Sequence, residues 1–240
     1  MKILKPLTKA TLVLITISFF SACKKDKDAA PKPNCRIITA TPSSSSSDPF
    51  NLTYNSDGKL STISSGNNVT TFAYSGNTAI ATTNTSGVFS SKTIITFNSS
   101  GLASNVKTEH DLTGTSWNNQ AFEYNGTELI KSTSTSAGGG TPSVSMLTWS
   151  DGNLVSLTSG SSTTTLDYYA DKPAQTGDYL YLAQLVSGYQ IYKTKNLLKS
   201  ILSGTDITSF DYNFGSDGYI SSVTVSGSSP TTYTYQYQCN

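Results

Sequence analysis

The sequence predicts an all-β domain: a large curled antiparallel meander, barrel-like or half-barrel, built of repeated hairpins with one short helix near 178–187. Three observations predict it. Apolar and polar residues alternate over most of the chain, the period of strands with one dry face. Asx-Gly turns punctuate that alternation at hairpin spacing. Ser and Thr make up about 30% of the 240 residues while only 13% are charged, a mix that suits Thr-faced strands and Ser turns rather than helices.

The first 34 residues stand apart from that pattern. Lys2 and Lys5 precede an apolar run over 10–20 and a small-residue pair, Ser21-Ala22. This reads as a secretory signal peptide over 1–22, too short and wrongly flanked for a spanning helix. Phe20-Ser21-Ala22-Cys23 resembles the lipobox of bacterial lipoproteins, which implies lipidation of Cys23 and an anchor worth about 0.8 kcal/mol per buried methylene. Residues 23–34 then form a Lys-, Asp- and Pro-rich tether. Its charged start, Lys24 to Asp28, resembles the surface-export signal of Bacteroidota lipoproteins, although a plain spacer reads equally well.

Residues 35–240 form the single β domain. With Cys23 carrying lipid, Cys35 and Cys239 remain, and an exported pair is expected to be bridged. That bridge would set the first and last strands side by side. From Cys35 onward nine basic residues face thirteen acidic ones, and no basic run exists for nucleic acid to bind.

Strands follow in order. After a first strand near 36–41 and a Ser loop, Leu52 and Tyr54 lead into Asn55-Ser-Asp57-Gly58 and out through Leu60 to Ile63. The same unit returns at 69–83, 92–106, 117–132 and 146–157, and almost letter for letter at Phe214-Gly-Ser-Asp217-Gly218-Tyr-Ile220. Strands at 163–168, 197–202, 208–214 and 231–238 bring the total to roughly fourteen or fifteen, too many for a flat open sheet. One segment breaks the period. Asp178 can cap a helix, Tyr179, Leu182 and Val186 share a helical face, and Gly188 can end it. Such a helix would cover an open end or face of the sheet.

The Tyr-Asn-Ser-Asp-Gly-Lys-Leu unit resembles tyrosine–aspartate repeats, whose strands wind into β-shells. The wider layout runs from lipobox through Y-x-x-D-G-x-L hairpins and Asp171-Lys-Pro173 to Lys195-Asn-Leu-Leu-Lys-Ser-Ile201. It is similar to a family of Bacteroidota lipoproteins of unknown function with a porin-like fold. That resemblance implies a curved antiparallel sheet and no activity.

Few residues offer chemistry. His110 is the sole histidine, so no multi-His metal site or Ser–His–Asp triad is supported, and neither metal nor cofactor is expected. Asp57, Asp151 and Asp217 precede glycines and read as turn residues. Asp167, Asp171, Asp178 and Asp211 crowd the helix entry and the following hairpin, and a facing pair could hydrolyse a glycoside. Two aromatic rows, Tyr233, Tyr235 and Tyr237, and Phe210 with Tyr212, join Tyr179, Tyr181, Tyr189 and Tyr192 as a candidate surface for sugars or lipid. The leading expectation is a monomeric, lipid-anchored lipoprotein of the outer membrane, on its periplasmic or surface side. It would bind a glycan, lipid or envelope protein without catalysis. A hydrolase using the Asp cluster and a purely structural envelope protein are the alternatives.

Overall fold

The computed structural model describes residues 34–239. The signal peptide, Cys23 and most of the tether lie outside the described residues.

Sixteen strands close into one antiparallel barrel in which every neighbour in space is a neighbour in sequence, apart from the seam joining the last strand to the first. They are β1 (Cys35–Pro42), β2 (Phe50–Tyr54), β3 (Leu60–Ser65), β4 (Asn68–Ser75), β5 (Thr78–Thr85), β6 (Val88–Phe97), β7 (Ala103–Glu109) and β8 (Trp117–Asn125). There follow β9 (Glu128–Ser136), β10 (Ser143–Ser150), β11 (Asn153–Ser159) and β12 (Ser162–Pro173), then the helix α1 (Tyr179–Ser187). The last four are β13 (Asn196–Ser203), β14 (Asp206–Phe214), β15 (Ile220–Ser226) and β16 (Thr231–Cys239). The count exceeds the fourteen or fifteen expected, and its even number lets an up-and-down meander meet itself antiparallel at the seam. The bridge expected between Cys35 and Cys239 is formed, and it locks the β1–β16 seam where those two residues are direct partners.

Register fixes which side chains face in. Tracing partners such as Leu52↔Ile63, Phe72↔Ala81, Ala79↔Ile95, Ile95↔Val106 and Leu147↔Leu157 around the wall places the apolar set on one face throughout. Ile37, Ile95, Leu129, Phe210, Ile220 and Val223 are fully buried on that inner face. The outer face carries Thr53 and Thr62, Lys92 and Glu109, Glu123 and Lys131, and Asp167 with Lys199, paired across strands. Exposed Val69, Ile80, Met146, Leu202 and Ile207 interrupt this polar pattern.

The repeat explains how hairpins are tied together. In the 54–63 and 214–223 copies the turn closes identically: Asn55 N donates to Lys59 O and Gly215 N to Tyr219 O. Asp57 and Asp217 accept from the amides two residues on, and Gly58 and Gly218 take φ of 83° and 78°, where a Cβ would be strained. A β-bulge before the repeat's aromatic residue, as at Thr53/Tyr54 and Glu123/Tyr124, tips that ring inward over the preceding strand. There it donates to a main-chain carbonyl: Tyr54 to Ile37, Tyr124 to Ala103, Trp149 to Leu129, Tyr168 to Leu154 and Tyr237 to Ile220, all at 2.6–2.8 Å.

Each such staple joins one hairpin to the previous one. Tyr124 also donates to Ile191 O at 3.0 Å, so Tyr124→Phe strips a donor from two carbonyls. A loss of about 1–2 kcal/mol is expected, read from the urea midpoint. An unchanged midpoint would show the staple to be ornamental.

Candidate functional site

Seven of the eight connections at the Asp-Gly end are tight hairpins or the disulfide seam; the eighth, between β12 and β13, contains α1. The prediction of a capped helix here is met. Asp178 accepts from Tyr181 N at 2.7 Å, and Gly188, in the left-handed region, donates to Leu185 O. The connection folds into the barrel mouth. Gly177 lies against Tyr235, Tyr237 and Ile220 on one side, and Gly188 against the Phe72 ring on the other. Tyr179 packs on Phe210 with ring centroids 4.6 Å apart, and Leu180 and Leu182 are buried in the core shared with β1–β3 and β13–β16. The helix is a plug.

Beyond the helix the chain is sewn to the opposite wall. Ala103 N donates to Gln190 O, and the Gln184 side chain accepts from Ile191 N and Tyr192 N. Asn153 accepts from Lys195 N and Asn196 N and donates to Asn196 Oδ1. Tyr192 meets Trp149 edge to face.

One sector of the mouth is left unfilled. A cavity of about 550 Å³ lies between the plug and β3–β7, lined by Leu60, Tyr74 and Phe97 from the wall and Tyr181, Leu185 and Tyr189 from the plug, with Lys59, Asn77 and Asn98 at its rim. Its position follows from the staples. Tyr74 occupies the repeat's aromatic position, but β4 and β5 pair over eight residues without a bulge. Among the described residues its hydroxyl makes no staple, and Lys59 instead sits over its ring at 5.2 Å. The next hairpin carries Phe97, which has no hydroxyl to donate. Two successive hairpins without a staple border the gap. A smaller cleft of about 280 Å³ runs along the other flank of the plug, past Asp178, Tyr192 and Lys193.

The residues singled out from sequence fall in different places. Tyr181 and Tyr189 line the cavity. Phe210, Tyr212 and Tyr235 are buried against the plug, and Tyr179, Tyr192, Tyr233 and Tyr237 pack around them half-buried; these rows are core and offer no open platform. The Tyr235 hydroxyl is buried without a hydrogen-bond partner among the described residues, and burial pushes Tyr212 and Tyr235 far above the usual phenol range. The aspartates are not brought together. Asp167 is on the outer wall, held below the usual carboxylate range by its hydrogen bond from Lys199. Asp211 is exposed and accepts from Tyr169, and Asp171 is exposed near the end of β12. Asp178 alone is buried, and desolvation lifts it to about 6 despite the amides of Tyr181 and Leu180. No three acids, histidines or cysteines gather as metal ligands among the described residues. Leu60, Tyr74, Phe97 and Leu185 escaped the sequence reading; the departures from the repeat at Tyr74 and Phe97 were the available signal.

The fold and its mouth define a plugged sixteen-stranded barrel with an apolar interior. No protein-family model matches the chain, and no curated protein does. Among solved structures it is similar to a porin-like protein from Bacteroides uniformis ATCC 8492, at 16% identity, with a TM-score of 0.63, over 84% of this chain and 98% of that one. Identity that low carries the fold alone. A membrane-spanning barrel turns an apolar band to lipid and keeps a polar lumen; here the lumen is apolar, and the outer wall mixes threonines and ion pairs with exposed Val69, Ile80, Met146, Leu202 and Ile207.

Proposed function

We propose that this chain is a lipid-anchored, non-catalytic binding protein of the bacterial envelope, tethered through Cys23 to the outer membrane with its barrel standing in water. The observation that carries the reading is the polarity of the wall together with the cavity. A barrel that packs its lumen with a helix yet leaves about 550 Å³ open at one mouth has the volume of a small-molecule site. The leader and the Cys23 lipobox support export and anchoring. Separation of the four aspartates removes the facing carboxylates that a glycosidase requires.

Two measurements test it. Cys23→Ala is expected to move the protein from the membrane fraction to the soluble one; unchanged membrane association refutes the anchor. Native mass spectrometry of the barrel with a panel of envelope lipids and glycans is expected to retain a ligand. Failure to retain any member of the panel refutes the binding role.

A further inference from the structure

We infer that the cavity between α1 and the β3–β7 wall holds the chain of a single-chain carboxylate, a fatty acid, with its head at Lys59. This deepens the binding role proposed above and rests on it. The interior is made by Leu60, Tyr74, Phe97, Tyr181, Leu185 and Tyr189, so its occupant gains mainly by burying apolar surface.

The polar groups at the edge are mostly engaged already. Asn98 Oδ1 accepts from Ser100 N and Leu102 N, and Asn77 donates to Phe97 O. Gln184 Oε1 is taken by Ile191 N and Tyr192 N, and its amide nitrogen by Leu180 O. The hydroxyls of Tyr74, Tyr181 and Tyr189 are further polar atoms of the lining, but three phenols are few partners for a sugar that must strip water from many hydroxyls, which is costly. An acyl chain has nothing to leave unpaired.

Among the described residues, Lys59 supplies the one cation at the rim. Its ammonium lies 3.1 Å from Asp57, and both side chains are about half exposed. A carboxylate head therefore competes with Asp57 in water, where an ion pair is weak. The head sets orientation and preference, while the chain supplies affinity. The absent staple leaves the Tyr74 ring lining the cavity; a ring held to β3, as Tyr54 is held to β1, would be drawn away from that place.

The test uses residues 34–240, a unit with its own closed wall and core. Titration with oleate is expected to saturate at one molecule per chain, with oleyl alcohol binding more weakly. Leu185→Trp fills the cavity; displacing only two methylenes weakens binding by about tenfold. Lys59→Gln is expected to abolish the preference for carboxylate over alcohol while the chain still binds. Phe97→Trp serves the same end from the wall, and the thermal midpoint of each variant reports its folding.

A diazirine-bearing fatty acid provides a readout that needs no variant: its cross-links are expected on peptides containing Leu60 and residues 181–189. Equal oleate affinity in well-folded Leu185→Trp and Phe97→Trp, or cross-links on the outer wall, overturns the assignment. Failure of oleate with retention of a glycan from the panel overturns it too, but leaves the binding role standing. Failure of every probe removes both.

Discussion

Replacing both Cys35 and Cys239 by serine is expected to cost the barrel about 5 kcal/mol, by the loop-entropy relation for a bridge spanning 204 residues. Every other neighbouring pair of strands is joined by a hairpin or by the α1 connection, so its closure is local. The β1–β16 seam brings together the two ends of the domain, where the unfolded chain loses most freedom. Severing it leaves two strand edges with unpaired amides and carbonyls, a template for aggregation. Urea denaturation of the double variant under oxidising conditions, beside the wild type with and without reductant, measures the loss. A variant with the wild-type midpoint would show that strand pairing alone closes the barrel.

Asp178→Asn is expected to stabilise the protein at neutral pH, a sign opposite to that of most buried polar substitutions. Burial raises the carboxyl from 3.8 to about 6, so the folded state holds this proton more tightly than the unfolded one. The contribution is full below about 3.8 and is lost as pH rises through about 6, a span worth about 3 kcal/mol. Asparagine keeps an oxygen for Tyr181 N and ranks with aspartate as a cap, without burying a charge. The variant should exceed the wild type in denaturation midpoint at pH 7.5, and the advantage should vanish near pH 4. Glu109 slopes the other way: Lys107 and Lys92 hold it low, and its support fades as pH falls. It is common to both proteins and cancels in the difference. A variant no more stable at pH 7.5, with the wild-type pH slope, would contradict the account.

The wall was legible because its signals are local. Alternation gave the strands, Asp-Gly pairs the turns, and Asp178 with Gly188 the helix ends; cysteine parity gave the seam. What alternation cannot say is whether the apolar face lines a closed lumen or one side of an open sheet, because closure depends on the ends meeting. For the same reason the rows at Tyr233–Tyr237 and Phe210–Tyr212 were ambiguous between core and platform. The plug decided for core, since α1 folds onto them.

The four aspartates are close in sequence around the helix, but strand alternation puts Asp167 and Asp211 on the outer wall while the connection carries Asp178 inside. The cavity was hidden because it is defined by what a repeat lacks: a bulge before Tyr74 and a hydroxyl at Phe97.

In the function proposed above this barrel stands in water around an apolar filling. Flotation of residues 34–240, free of detergent, with vesicles of outer-membrane phospholipid measures it most directly. The barrel is expected to stay in the dense aqueous fractions, folded and unassociated with lipid bilayers. A barrel that floats with the vesicles and resists extraction by carbonate would contradict it.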